Sequence, residues 1–446
     1  MQYGTGIDSR EEDIQMAHLS AALQRKAAHI LLGAVGLGLL VYLLRQPYAI
    51  HPDSASYITG SMQRGPVYPL FIQLFQFLLP FCALAAVAAT QTLLALGSAA
   101  LLAYAMHRHL DTDSIVSHLV FLVLAAPLLK FGNSILSEAL AYSLFLSFLA
   151  TWLGHARCKD VRSACATIIL ACLAVLNRQP FLFLYIFLIL YFLHDAMTGS
   201  KKRRALFFTA LVLCSIGATG LARNTYNYLT FGIFGQHSAV GSNLLATQLY
   251  ISEPTDIAYF DDPEQRSFFK TVSEIIEQRK LSKKNWDLTR DHYDLSMTKI
   301  YFEVLGQSYE PLVHSGAIKP AQGVANPVEM DGFFTKVGLV LLRHNIADFL
   351  LLLCRKLYDG QLFFLLQTTI LTALCLVAQA QKPSPARAVY VWVSLLTLLN
   401  YAVILPGALL APRFTFYTDV AQLAFTLAAG SALLGGTALA PSSRQA

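Results

Sequence analysis

The sequence predicts an all-α polytopic membrane protein, and three observations support this prediction. Hydrophobic residues make up 55% of the 446 positions and charged residues only 13%, with a mean hydropathy of +0.50. Apolar runs close to the roughly 20 residues that cross the hydrocarbon core of a bilayer recur along the chain. The Lys and Arg residues of the short loops concentrate on one side of the resulting topology. These observations exclude a soluble globular domain.

About ten apolar segments are long enough to be predicted as transmembrane helices. The fifth and sixth are short and separated only by Asn177–Pro180, which predicts a tight helical hairpin with Arg178 at its tip. In chain order, the segments cover approximately residues 28–45, 81–105, 115–131, 135–153, 164–177, 180–194, 205–222, 361–380, 388–410 and 416–438.

The basic residues predict how these helices are oriented. With a cytoplasmic N-terminus, most Lys and Arg residues of the short loops fall inside, including the Lys201–Arg204 cluster, which is interpreted as a cytoplasmic anchor. Both termini are then cytoplasmic. The net charge of +6 reflects this topology, and no basic stripe indicates nucleic-acid binding.

This topology divides the chain into four regions. The first outer loop, residues 46–80, carries the candidate chemistry and includes a predicted juxtamembrane helix that is too short to cross the bilayer. The regions are an N-terminal transmembrane module (1–222), a small extracytoplasmic cap (223–336), an interfacial helix (337–360) and the C-terminal transmembrane helices (361–446).

Two segments of the cap have different patterns. Residues 226–250 mix Gly, Ser and Asn with aromatic residues and are predicted as loop. Residues 263–299 are predicted as mainly helical, because apolar residues recur there at helical spacing. These apolar residues are Phe268, Val272, Ile275 and Ile276.

Asp53 is the first candidate for chemistry, because it lies just outside the first predicted span. A partly desolvated carboxylate at the bilayer surface can act as a general base towards a hydroxyl acceptor. The alternative is a solvated loop residue that caps the following helix together with Ser54 or Ser56.

Several short motifs accompany Asp53. Tyr57 follows it, and Arg64-Gly65-Pro66-Val67-Tyr68-Pro69 opens the next apolar segment. Ser137-Glu138 stands at the outer start of a later span, and Pro412-Arg413-Phe414 at the outer end of another. This pattern resembles the GT-C superfamily of integral-membrane glycosyltransferases. Within that superfamily it is most similar to bacterial enzymes of the protein-mannosyltransferase and aminoarabinose-transferase type.

The resemblance implies a GT-C-like fold and an inverting transferase. Such an enzyme moves a sugar from a polyprenyl-phosphate-linked donor to a hydroxyl of a lipid, glycan or protein, with Asp53 as the base. Arg64, Arg178 and Arg413 are then the candidates for binding the donor phosphate, because a guanidinium can donate two parallel hydrogen bonds to it. The alternative for each Arg is contact with lipid head groups. We expect a bacterial inner membrane, with the active site facing outward.

Glu138 and two tyrosines complete the predicted site. A carboxylate in an apolar context is costly unless it is paired, so Glu138 is predicted to orient an acceptor, pair with an Arg or help hold a divalent cation. Tyr57 and Tyr68 are predicted substrate contacts, with interfacial anchoring as the alternative. The metal content is unknown, and His51 and His237 are the candidate ligands. The sequence contains no Walker-type or dinucleotide-binding motif, which agrees with a lipid-linked donor instead of a nucleotide sugar. No cofactor is assigned beyond the possible divalent cation.

Two other function classes stay open. A flippase or transporter of lipid-linked saccharides should have charged residues near the middle of the bilayer and paired half-repeats, and the sequence shows neither pattern. A polysaccharide polymerase or ligase would depend on Arg residues of the large outer loop instead of Asp53. Replacing Asp53 by Asn would distinguish both classes from a transferase.

Overall fold

The computed structural model is helical along nearly all of the chain that it describes. Within the described ranges no β-strand occurs, and Ala49 and Ser134 form an isolated β-bridge. The predicted all-α class is confirmed. The structure describes residues 8–110, 112–199, 201–235, 240–283, 290–314, 316, 318, 327–360, 362–381, 384–404 and 411–435.

The helices fall into an N-terminal set, a middle set and a C-terminal set. The N-terminal set is α1 (Asp8–Arg45), α2 (Ser54–Ile58), α3 (Val67–Leu78), α4 (Ala83–Leu110), α5 (Ser114–Ala125), α6 (Leu128–Phe131), α7 (Ser137–Cys158), α8 (Val161–Asn177), α9 (Phe183–Thr198) and α10 (Lys202–Phe231). The middle set is α11 (Val240–Ile251), α12 (Pro263–Gln278), α13 (Arg290–Lys299), α14 (Gly306–His314), α15 (Pro327–His344) and α16 (Ile346–Gly360). The C-terminal set is α17 (Leu362–Gln381), α18 (Pro385–Ile404) and α19 (Ala411–Gly435).

Six helical segments among the described residues are long and apolar enough to cross a membrane, or up to seven if a bent pair counts as one span. Each of the six overlaps a predicted span, which supports a polytopic membrane protein. The other predicted spans overlap helices that do not meet this criterion over their described residues, so the total of about ten spans stays a prediction. The six segments are Ala83–Leu110, Ser114–Phe131, Ser137–Cys158, Gln179–Thr198, Lys202–Phe231 and Ala386–Val403.

Helix α7 is the most buried of these segments. It packs against α4 on one side and α8 on the other. Large side chains fill the space around it, among them the fully buried Tyr142, Phe145 and Trp152. Since α7 begins at Ser137 and ends at Cys158, it connects the two ends of the bundle, each of which carries a cluster of charged side chains.

The middle helices have a hydrophobic core of their own. Of the four apolar residues predicted to share a face of α12, Phe268, Val272 and Ile276 are buried, and Ile275 is partly buried against the same core. The helix starts where Asp262 accepts a hydrogen bond from the backbone N–H of Glu264, with proline at the first helical position.

The prediction that residues 226–250 form a loop is wrong. Helix α10 continues to Phe231 and α11 begins at Val240. Leu245 and Leu249 of α11 are buried in the core shared with α15, and a Cβ atom at Gly241 would overlap the backbone of α15. Tertiary burial and close helix packing therefore outweigh the weak helix propensity of this segment.

A sharp bend divides the segment that was predicted as one interfacial helix. Helices α15 and α16 meet at 97° around Asn345, and the predicted boundary at residue 336 falls inside α15. At the bend, Asn345 Nδ2 donates to Asp256 Oδ2 over 2.9 Å. Residues of α15 and α16 both belong to the core of the middle helices, so packing against that core determines their direction.

Candidate functional site

Asp53 and Arg64 form an ion pair at one end of the bundle, which we call the loop pair. Asp53 stands at the N-cap of α2, and Arg64 Nη2 donates to Asp53 Oδ1 over 3.0 Å. The Asp53 side chain makes no capping hydrogen bond to α2, whereas Ser56 Oγ donates to the Asp53 carbonyl oxygen over 2.6 Å. About a third of the Asp53 side chain, 36%, and 24% of the Arg64 side chain are exposed.

The Arg64 guanidinium is bound by three side chains around α2. Besides Asp53, Nε donates to Ser56 Oγ over 2.9 Å and Nη1 donates to the Tyr57 hydroxyl over 3.3 Å. Its Cζ atom lies 4.5 Å from the centre of the Tyr57 ring, a cation–π distance. Three protein side chains therefore hold the Arg64 guanidinium in this structure.

Glu138 and Arg178 form a second ion pair, which we call the buried pair. Arg178 Nη1 lies 3.0 Å from Glu138 Oε1, and the two side chains are only 8% and 3% exposed. Glu138 is in the first turn of α7, and Arg178 follows α8 in an extended conformation. The turn predicted at Arg178 is confirmed, and pairing with an Arg is the role among those predicted for Glu138 that the structure shows.

Tyr57 connects the two pairs. Its hydroxyl accepts a hydrogen bond from Arg64 and makes another, of 2.8 Å, with Ser137 Oγ. Asn177 Nδ2 donates to the Ser137 carbonyl oxygen over 3.2 Å, which ties the end of α8 to the start of α7. The resulting polar chain runs through Asp53, Arg64, Tyr57, Ser137, Glu138 and Arg178.

Gly65 explains how the segment after Arg64 comes so close to the end of α8. A Cβ atom at this position would overlap the carbonyl oxygen of Leu176. Any larger residue would push the two backbone segments apart. The glycine of the Arg64-Gly65-Pro66 motif is therefore needed for the approach of the loop pair to the buried pair.

Tyr68 supports this arrangement from inside the protein. It is fully buried, its hydroxyl donates to Gln91 Oε1 over 2.9 Å, and its ring packs edge-on against Tyr57 at 5.2 Å. Gln91 Nε2 in turn donates to the carbonyl oxygens of Gly132 and Ser134, which positions the chain that leads into α7. Contact of Tyr68 with a substrate would require this packing to open.

The structure adds Tyr417 and Arg223, which the sequence patterns did not indicate. Arg178 Nη1 donates to the Tyr417 hydroxyl over 3.4 Å. The buried Arg223 side chain of α10 donates to the carbonyl oxygen of Gln63 over 3.4 Å. Tyr417 lies one helical turn after Arg413 in α19, so a helical-face pattern could have revealed it. For Arg413 the structure describes the helical backbone but not the side chain.

Tyr301, in a π-helical turn of the middle helices, lies near the loop pair. Burial and the carboxylates of Asp331 and Asp53 raise the pKa of the Tyr301 hydroxyl, whereas Arg64 lowers it. Both members of the loop pair therefore act electrostatically on this ring. The sequence offered no signal for Tyr301, because aromatic residues are common in such a cap.

The described part of the chain contains no group of three or more His, Cys, Asp or Glu side chains that could hold a metal ion. His51 Nε2 lies 3.1 Å from Ser134 Oγ. His237, the other candidate ligand, lies outside the described residues. A divalent cation at this site stays a prediction.

No protein-family model, curated protein or solved structure matches this chain. The two ion pairs and the polar chain between them are the features from which a function can be inferred.

Proposed function

We propose that the protein is a membrane glycosyltransferase of the GT-C type. It moves a sugar from a polyprenyl-phosphate-linked donor to a hydroxyl of a lipid, glycan or protein, at the outer face of a bacterial inner membrane. One observation carries the proposal: residues selected from separate sequence segments converge in one polar chain at one end of the bundle. These residues are Asp53, Tyr57, Arg64, Glu138 and Arg178.

Asp53 is the general base in this proposal. Its partial exposure lets an acceptor hydroxyl reach it. The carboxylate removes the hydroxyl proton while the acceptor oxygen attacks the anomeric carbon. The bond between that carbon and the phosphate oxygen breaks, and the lipid phosphate leaves with the bonding electrons. Attack from the face opposite to the leaving group inverts the anomeric centre.

Arg64 and Arg413 stabilise the departing phosphate in this proposal. The three bonds of Arg64 to side chains around α2 use three of the five guanidinium N–H groups, so two remain for an anion. Arg178 differs, because its Nη1 is shared by Glu138 and Tyr417 in a buried environment. We therefore propose that Arg178 and Glu138 are positioning residues. Their ion pair joins the end of α8 to the start of α7, where Ser137 bonds the Tyr57 hydroxyl.

The test uses the purified protein in lipid nanodiscs and a panel of polyprenyl-phosphate sugars. Asp53→Asn should lower the rate of sugar transfer by about 10²–10⁴-fold, the usual contribution of a general base, and leave donor binding unchanged. Asp348→Asn is the matched control, because Asp348 belongs to another exposed ion pair, with Lys283.

Undiminished transfer by Asp53→Asn would remove Asp53 from the mechanism. A folded native protein that neither binds nor uses any donor of the panel would contradict the proposed activity. Equal losses in Asp53→Asn and Asp348→Asn would show a general effect of removing a surface carboxylate.

A second candidate function, transport of lipid-linked saccharides, is favoured by one observation. Asp419 of α19 is buried, and its Oδ1 accepts a hydrogen bond of 2.6 Å from the Tyr401 hydroxyl of α18. Next to it, Asn400 Nδ2 donates to Thr418 Oγ1 over 2.8 Å. Helix α19 overlaps the last predicted span, and an ionisable residue inside a span often marks a substrate or ion pathway. Asp419→Asn would abolish saccharide translocation by a transporter, whereas a transferase would retain sugar transfer.

A further inference from the structure

A cavity of about 150 Å³ lies at the end of the bundle opposite to the loop pair. Helix α7 carries Glu138 at one end and His155 near the other, and its rise of 1.5 Å per residue separates them by roughly 25 Å. The cavity is therefore distinct from the candidate functional site. We call it the basic cavity, and its polar lining residues are His155, Lys159, Asp195, Lys201 and Arg204.

The charges around the basic cavity favour an anion. Three cations, Lys159, Lys201 and Arg204, face one carboxylate, Asp195. Lys159 Nζ already binds Asp195 Oδ1 at 2.6 Å, which neutralises that carboxylate. Arg204 Nη2 donates to the Lys159 carbonyl oxygen over 2.5 Å, so two of the cations are held in place before any ligand arrives.

His155 adds an unsatisfied polar atom next to the cavity. The residue is only 3% exposed, and its Nδ1 bonds the Asp160 carbonyl oxygen at 2.8 Å. Its buried Nε2 has no hydrogen-bond partner among the described residues. Buried polar atoms are normally satisfied, and Nε2 is enclosed beside the cavity without such a partner. A shift of the ring or of its neighbours is needed before this nitrogen can reach a ligand in the cavity.

The start of α10 adds a third favourable feature. Lys201 is the N-cap of this long helix, and its side chain makes no capping hydrogen bond. The first N–H groups of a helix and its dipole favour a negative charge at this end. The cavity volume is also about ten times the minimum of roughly 15 Å³ that one water requires, which leaves room for a tetrahedral anion.

We propose that the basic cavity binds a phosphate group, carried either by the head group of an anionic membrane lipid or by a soluble phosphate or phosphate ester. The cations Lys159, Lys201 and Arg204 neutralise the phosphate oxygens. This site does not depend on the proposed sugar transfer, and the readout of its test is binding.

The test compares two double variants of the same helix end. Lys201→Gln with Arg204→Gln removes two cations that line the cavity, whereas Lys202→Gln with Arg203→Gln removes two exposed cations that do not. Saturable binding of inorganic phosphate is measured by equilibrium dialysis in phosphatidylcholine nanodiscs. We expect the cavity variant to weaken binding by at least about tenfold, since each lost partner is a charged hydrogen-bond donor, and the control variant to bind like the native protein.

A second arm distinguishes the two sources of the phosphate group. Native mass spectrometry of protein from mixed phosphatidylcholine and phosphatidylglycerol nanodiscs measures retention of the anionic lipid. Retention of phosphatidylglycerol that is lost in the cavity variant alone assigns a head-group site, whereas binding of inorganic phosphate alone assigns a soluble ligand.

Two outcomes would overturn the proposal. One is the absence of saturable binding of either probe to the native protein. The other is an equal loss of binding in both double variants, which would indicate a general basic surface. If the cavity variant unfolds, Lys201→Gln alone replaces it, because the exposed Lys201 side chain makes no cap hydrogen bond.

Discussion

The loop pair and the buried pair have the same separation but different surroundings. In each, a guanidinium nitrogen lies 3.0 Å from a carboxylate oxygen. Solvent reaches both members of the loop pair, Asp53 and Arg64, whereas Glu138 and Arg178 are almost completely enclosed. Water screens the attraction in the loop pair and is excluded from the buried pair. The same distance between the charges therefore gives a weaker electrostatic attraction in the loop pair than in the buried pair.

This difference indicates a division of roles. An exposed ion pair contributes about 0–1 kcal/mol to stability, so Asp53 and Arg64 can change partners when a substrate arrives. Breaking a buried pair leaves an uncompensated charge away from water. Glu138 and Arg178 are therefore expected to hold the joined ends of α7 and α8 and to affect chemistry only through Tyr57.

The largest loss of stability is expected from Arg178→Met, which removes the guanidinium that lies 3.0 Å from the buried Glu138 carboxylate. The free energy of unfolding should fall by about 3–5 kcal/mol. Denaturant unfolding in detergent micelles, followed by Trp fluorescence, measures this change. The double variant Arg178→Met, Glu138→Leu should recover at least about half of the loss, because apolar replacements of a whole buried pair are often neutral. If the double variant recovers nothing, the ion pair is not the cause.

Gly65→Ala tests whether the two pairs must lie close together. The added methyl group overlaps the Leu176 carbonyl oxygen, and we expect a loss of about 1–3 kcal/mol in unfolding free energy together with slower sugar transfer. Gly97→Ala in α4 is the control, because nothing lies within 4 Å of its added Cβ atom. Native-like stability of Gly65→Ala would mean that the loop can withdraw from α8 at no cost.

Tyr57→Phe removes the hydroxyl that connects the pairs and keeps the ring. We expect a loss of about 1 kcal/mol, the usual net value of a hydrogen bond, and a reduced rate of transfer. Adding Ser137→Ala to Tyr57→Phe should lower the free energy of unfolding only slightly further, because both changes remove the same 2.8 Å hydrogen bond. Tyr104→Phe, at an exposed position of α4, is the control. Additive losses in the double variant would show that Tyr57 and Ser137 act separately.

The smallest effect on stability is expected from Asp53→Asn, even though its expected effect on transfer is large. Because the loop pair is partly exposed, the free energy of unfolding should fall by at most about 1 kcal/mol. The same denaturant titration measures it beside Arg178→Met. A loss comparable to that of Arg178→Met would make Asp53 a structural residue and remove the contrast between the two pairs.

Some features of the fold and the site could be predicted because they depend only on residues that are close together in the sequence. Hydropathy predicted the apolar helices, and helical spacing of Phe268, Val272 and Ile276 predicted the buried face of α12. The turn at Arg178 was predictable because polar residues and Pro180 interrupt two apolar runs. Each of these signals needs only a short stretch of chain.

The pairing of the charges was harder to predict, because the partners are distant in sequence. Glu138 and Arg178 are separated by nearly all of α7 and α8. Nothing in the sequence around either residue indicates that the two form an ion pair. Arg223 and Tyr301 were missed for the same reason, since only the packing of α10 and of the middle helices brings them near the loop pair. The loop prediction for residues 226–250 failed because burial against α15 is a long-range effect.

The sequence by itself determined that this chain is helical and suited to a membrane, because hydropathy and helical periodicity are local properties. It also determined which charged residues stand out from their apolar neighbours. Only the tertiary structure decided which carboxylate pairs with which guanidinium, and which of the two pairs is exposed to solvent. Burial sets the energy of an ion pair, and burial depends on helices that meet from distant parts of the chain.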